Sequence, residues 1–210
     1  MRRCRNGAAA RRGRVEAHGQ TCFLRATFVK LVAIDFETAD YGADSACALG
    51  IVEIQDGKIT KKGFRLIRPP RNRFYFTYIH GITWSDVAHE ATFADVWDEF
   101  TDYWKDADYL LAHNAPFDRG VLRGWSLAAQ REPPPVPFVC TVRVARAHWN
   151  FRPANLAHVC AQLDIPLKHH DAASDALACA TIALKAMNEG FSIETAMVGA
   201  PRYRRQARRW

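Results

Sequence analysis

The sequence predicts an α/β domain with a mixed sheet of five strands flanked by helices. Three observations carry this. Short runs of β-branched and apolar residues are bounded by turn signals. Stretches with helical spacing alternate with them in the second half of the chain. Gly, Pro and Asp-Gly fall where the elements have to end. Residues 29–190 hold the whole pattern.

The first strand is VKLVAIDFE, starting at Val29. Residues 47–55 and 58–67 read as two more strands, and Asp56-Gly57 between them is a two-residue hairpin signal. Gly81-Ile82-Thr83 leads into a short helix with Thr83 as N-cap. Phe93, Val96, Trp97, Phe100 and Trp104 recur at helical spacing and predict one amphipathic helix over 93–105. A fourth strand spans 109–112, and a helix runs over 116–130. A proline-rich loop leads to a fifth strand at 138–140, and helices follow at 142–148, 155–163 and 172–188.

The chain has 210 residues, enough for one domain with a core and short for two. It is 49% hydrophobic and 24% charged, the balance of a soluble globular protein. No apolar run approaches the ~18 residues that cross a bilayer, so no membrane partner is expected. The first residues carry positive charge with no apolar stretch behind it, which predicts a cytoplasmic chain. The six cysteines have irregular spacing and no C-x-x-C pair, so reduced thiols are expected.

Charge is divided unevenly. Residues 1–30 hold eight Lys or Arg against one acid, and residues 201–210 hold five arginines and no acid. Since the whole chain is +7, the remainder carries −5. Residues 1–28 are expected to be a disordered basic extension, and 191–210 a basic C-terminal tail. An acidic body that handles a polyanion needs cations to do so.

Three groups of acids could supply that need. Asp35 and Glu37 are two apart on a strand, so both side chains leave on one face while Phe36 leaves on the other. Like charges so close favour a hard divalent cation between them. Asp118 falls in the first turn of a helix that begins with Pro116, just after a strand. That is the edge where open α/β sheets bind ligands. Asp175 sits one turn into a helix rich in alanine, whose small residues let it approach the sheet. His170 lies in the loop before that helix, with His169 and Asp171 as alternatives by residue type. Each group alone has a plain structural explanation, because D-x-E pairs and helix-start acids are common. Their joint order is more specific.

That order, D-x-E, then N-x-x-x-D, then H-x-x-x-x-D, resembles the DEDDh branch of 3′–5′ exonucleases, a family that includes proofreading subunits of bacterial replicases. The segments SACALGIVEIQDGKI, LLAHNAPFDRGVL and HHDAASDALACA resemble it too, over roughly Val29 to Met187. The resemblance implies a ribonuclease H-like fold. It implies two divalent cations, Mg²⁺ or Mn²⁺, held by Asp35, Glu37, Asp118 and Asp175, with His170 as general base. Thr38 is expected near the terminal sugar, His80 and Ile82 near the terminal base, and Asn114 as an orienting residue of the second motif. The partner is expected to be single-stranded nucleic acid, DNA ahead of RNA, with a polymerase or repair protein as a possible companion. Two rivals remain: an exoribonuclease that trims RNA 3′ ends, and a non-catalytic nucleic-acid-binding module.

Overall fold

The computed structural model describes residues 29–199. The expectations for 1–28 and for 200–210 lie outside these residues. β1 (Lys30–Thr38), β2 (Ala46–Gln55) and β3 (Lys58–Leu66) form an antiparallel meander. Asp56 and Gly57 join β2 to β3, with φ of 52° and 73°. Positive φ at both positions gives the primed turn that matches strand twist. The connection from β1 to β2 is held by Arg71, whose guanidinium bridges the carboxylates of Asp40 and Asp44.

α1 (Thr77–His80) and α2 (Trp84–Val87) come next. Thr83 caps α2 as expected, its N–H donating to the Asp86 carboxylate at 2.7 Å. α1 was not anticipated, because a four-residue helix shows no period. The single helix expected over 93–105 is two, α3 (Phe93–Glu99) and α4 (Thr101–Trp104). The break at Phe100 lets Trp104 stack on Trp97 with ring centroids 5.2 Å apart. These tryptophans are seven apart and fall on one face either way, so periodicity cannot reveal the break.

β4 (Tyr109–Ala112), α5 (Pro116–Ala128), β5 (Phe138–Cys140), α6 (Thr141–His148), α7 (Leu156–Gln162) and α8 (Ala172–Asn188) lie within two residues of their expected bounds. Asn155 caps α7 and Asp171 caps α8, each accepting a backbone N–H three residues on.

The sheet has six strands, ordered β3-β2-β1-β4-β5-β6, one more than expected. β1, β4 and β5 run parallel, which aligns their carboxyl ends. The extra strand, β6 (Met197–Val198), follows a 3-10 turn at Ile193–Ala196 and pairs antiparallel with β5. The sheet therefore continues past residue 190. A two-residue strand carries no alternation, and this segment is anchored by only a few residues such as Ile193 and Ala196, both buried. The four cysteines among the described residues are free and buried.

Two layers cover the sheet. Val32, Ile34 and Phe36 of β1 pack with α3 and α5, against Trp97, Leu122 and Trp125. Leu31 and Ala33 pack on the other face, against Ala176, Cys179, Ala180 and Ala183 of α8. α8 comes closest at Gly50, the residue paired with Asp35 in the sheet. A Cβ there would lie 1.9 Å from the Ala172 carbonyl oxygen. Backbone cannot yield as a side chain can, so Gly50→Ala must push away the first turn of α8. The expected result is a loss of about 1–3 kcal/mol in stability, together with weaker metal-induced stabilisation, because Asp175 moves with that turn. Denaturant titrations with and without Mg²⁺ check this, and an unchanged midpoint would contradict the close approach.

Candidate active site

The alternation of β1 continues to its carboxyl end. Asp35 and Glu37 extend the face that meets α8, while Phe36 joins the opposite cluster. α8 delivers Asp175 from above. Ligand oxygens of Asp35, Glu37 and Asp175 lie within 4.8 Å of one another. Asp118 arrives from α5, on the other layer. It is 1% exposed, and its Oδ1 accepts the Phe36 N–H at 3.2 Å. The four acids thus meet around the end of β1, although they come from three elements on two sides of the sheet.

Their electrostatics follow from that crowding. Burial pushes the Asp35 carboxyl well above its usual range, and the charges of Asp118, Asp175 and Glu37 add to it. Burial raises Glu37 to about 7, with Asp175 and Asp171 contributing. Burial raises Asp118 to about 8, although the Phe36 N–H opposes it. Asp175 is also raised by burial, against the hydrogen bonds from His169 and His170. Carboxylates so arranged hold protons unless a cation replaces them.

The set fits a divalent metal on two counts. All its donors are hard carboxylate oxygens. Oδ1 of Asp175 is buried with no hydrogen-bond partner among the described residues. An orphaned anionic oxygen is costly, and a cation at that point would satisfy it. Asp35, Glu37 and Asp175 could hold one ion directly, and Asp118 could support a second beside Asp35.

The histidine loop brings two imidazoles to the acids, with ligand atoms of His169, His170 and Asp175 within 4.8 Å of one another. The imidazole that touches Asp175 is that of His169, with Nδ1 3.0 Å from Oδ2. His170 reaches the same oxygen through its backbone N–H, at 3.1 Å. Its ring stacks on His169 with centroids 3.9 Å apart, and its backbone is left-handed, with φ 66°. Its pKa is lowered, first by burial and then by His169, and Asp175 offsets this only in part.

A cavity of about 730 Å³ opens beside the acids. Thr38, His80 and Asn114 line it. His80 Nε2 lies 3.2 Å from the Thr38 carbonyl, and its Nδ1 accepts the Ile82 N–H at 3.0 Å. Ile82 does not line this cavity. The left-handed turn at Gly81 (φ 79°) redirects the chain, so Ile82 packs near Cys47 and Val87, and Ile79 takes the wall position. Asn114 adopts φ 70° and shapes the turn between β4 and α5. His113 was not singled out from sequence. Its Nε2 donates to the Ala154 carbonyl at 3.0 Å, and burial lowers its pKa to about 4. It ties the end of β4 to the loop before α7. Phe117 and Arg146 also line the cavity, and neither had a signal in the sequence beyond residue type.

Residues 32–183 match the RNase_T family, described as exonuclease. The chain belongs to this family. Its order of acids and histidine marks it as a DEDDh member, and the fold is ribonuclease H-like. The "DNA polymerase III PolC-type" protein of Thermotoga petrophila is 32% identical over 167 residues, covering 78% of this chain and 12% of that one. The chain thus spans about an eighth of the PolC-type relative it matches. The "DNA polymerase III subunit epsilon" of Escherichia coli K12 is 28% identical over 192 residues, 84% of this chain and 79% of that one. Among solved structures, exonuclease X in complex with 5′ overhanging duplex DNA superposes with a TM-score of 0.65. It is 26% identical, with coverage of 79% of this chain and 96% of that one. Among the described residues no helix is long and apolar enough to cross a membrane.

Proposed function

We propose that this chain is a metal-dependent 3′–5′ exonuclease that removes nucleotides from the 3′ end of single-stranded DNA as nucleoside 5′-monophosphates. The observation that carries the reading is the convergence of Asp35, Glu37 and Asp175 within 4.8 Å, with one Asp175 oxygen unpartnered. The DNA polymerase III names of its relatives support DNA as the substrate and a polymerase as a companion.

Two divalent ions at such a site would stabilise the charge that builds on the attacking and leaving oxygens of a phosphodiester. The chain does the rest. The acids fix the charge and spacing of the pocket. His170, neutral at physiological pH because burial lowers its pKa, is free to accept a proton from water, a contribution of typically ~10²–10⁴-fold. Its stack on His169 restricts how the ring can turn. Thr38 and His80 line the part of the cavity nearest the end of β1, where a terminal nucleoside would sit. Phe117 is half-exposed on the wall and offers a face for a base, a contact that tolerates any sequence.

End-labelled single-stranded DNA and RNA of matched sequence provide the test. Stepwise loss from the 3′ end, present with Mg²⁺ or Mn²⁺ and abolished by chelator, is the expected result, with DNA the faster substrate. Faster loss of the RNA would move the assignment to an exoribonuclease. Binding without metal-dependent turnover of either would leave only a nucleic-acid-binding module.

A further inference from the structure

One wall of the cavity is not used by the chemistry above. α6 contributes Val142 and Arg146 to it, one helical turn apart. Arg146 is exposed, and among the described residues it is the only Lys or Arg that lines the cavity. It forms no ion pair with any described residue. Its helix is set off from the strand that carries Asp35 and Glu37. α6 follows β5, which lies two strands from β1 in the sheet, or about 10 Å at ordinary strand spacing.

We propose that Arg146 is a substrate-positioning residue whose guanidinium holds a backbone phosphate on the 5′ side of the linkage that is cut. The proposal rests on the exonuclease reading. A strand with its terminal linkage at the acids has to carry its next phosphates along the cavity. There it meets a domain body of net charge −5 over residues 31–200, which repels it. A guanidinium on the far wall offsets that repulsion, and its planar fork can engage two phosphate oxygens at once. The contact is blind to base identity, as an enzyme that removes every nucleotide in turn requires.

Two substrates separate this role from a structural one. Thymidine 5′-(p-nitrophenyl phosphate) carries the linkage to be cut and no upstream phosphate. An oligothymidylate carries both. Arg146→Ala should lower kcat/KM on the oligonucleotide about tenfold, mainly through KM. Its loss on the nitrophenyl ester should be smaller by at least about fivefold. Binding of labelled oligothymidylate with Ca²⁺ as the ion should weaken, and the slope of log Kd against log salt should shrink by about 0.7, one phosphate contact on a single strand. Arg146→Lys keeps the charge and should restore that slope while recovering only part of the KM. Equal losses on the two substrates, or an unchanged Kd and slope in Arg146→Ala, would overturn the proposal. If strand binding depends on Arg146 but the unmodified protein cleaves neither substrate, the nuclease reading fails and the phosphate contact stands.

Discussion

Asp35→Ala is expected to lower turnover of a single-stranded oligonucleotide at least ~10²-fold while raising the melting temperature of the metal-free protein. The two effects have one cause. Asp35 sits among three other carboxylates, each of which disfavours its charge. Removing it relieves repulsion in the absence of metal and removes the donor placed between the remaining acids. The variant should also lose most of the stabilisation that Mg²⁺ or Mn²⁺ gives the unmodified protein. His170→Ala makes a useful contrast. Its ring stacks on His169 and lies within 4.8 Å of Asp175, but the hydrogen bond to that acid is made by its backbone N–H, so turnover should fall while metal-induced stabilisation persists. Parallel melting curves and nuclease assays on the two variants provide the check. Near-unmodified hydrolysis by Asp35→Ala would remove the basis for the site. Loss of metal stabilisation in His170→Ala would make that histidine a ligand.

Local spacing made part of this site legible. Alternation along β1 fixes which face Asp35 and Glu37 share, because a strand has no other way to dispose its side chains. The alanines of α8 signal close packing, and Gly50 opposite them completes the approach on the sheet side. What stayed hidden depends on contacts between distant segments. Asp118 was legible as an acid at a helix start by the sheet's ligand edge, but its burial against β1, where it accepts the Phe36 N–H, was not. No period in α5 reports that. The titration of His170 depends on burial and on the charge of His169 beside it, which residue spacing cannot convey. Ile79 and not Ile82 lines the cavity, because the left-handed glycine at 81 turns the chain between them. β6 and the break at Phe100 escape for a simpler reason: two residues show no alternation, and a kink that preserves the buried face leaves the pattern unchanged.

Stability of the metal-free protein is expected to fall between pH 7 and 8, and saturating Mg²⁺ or Mn²⁺ should remove most of that fall. The sign follows from the acids. Glu37 is raised from 4.5 to about 7, Asp118 from 3.8 to about 8, and Asp35 well above 3.8. In this window the unfolded chain has released these protons and the folded chain still holds some of them. Stability is then fully present below the unfolded pKa values and is lost as pH rises through the folded ones. The histidines act in the opposite sense but at lower pH. His80, His113 and His170 all have lowered pKa values, so their opposing effect fades as the unfolded chain's imidazoles lose their protons above their ordinary value of 6.5. Asp40, held at about 2 by Arg71, is ionised throughout. One or two excess protons correspond to about 1.4–2.7 kcal/mol per pH unit, or roughly 3–11 °C in melting temperature for a domain of this size. A bound cation replaces those protons, so its stabilisation should grow as pH rises. Differential scanning calorimetry in chelator and in Mn²⁺, at pH 7 and pH 8, measures both effects. A melting temperature in chelator that is flat or rising over this range would mean that the four carboxylates do not share one buried environment.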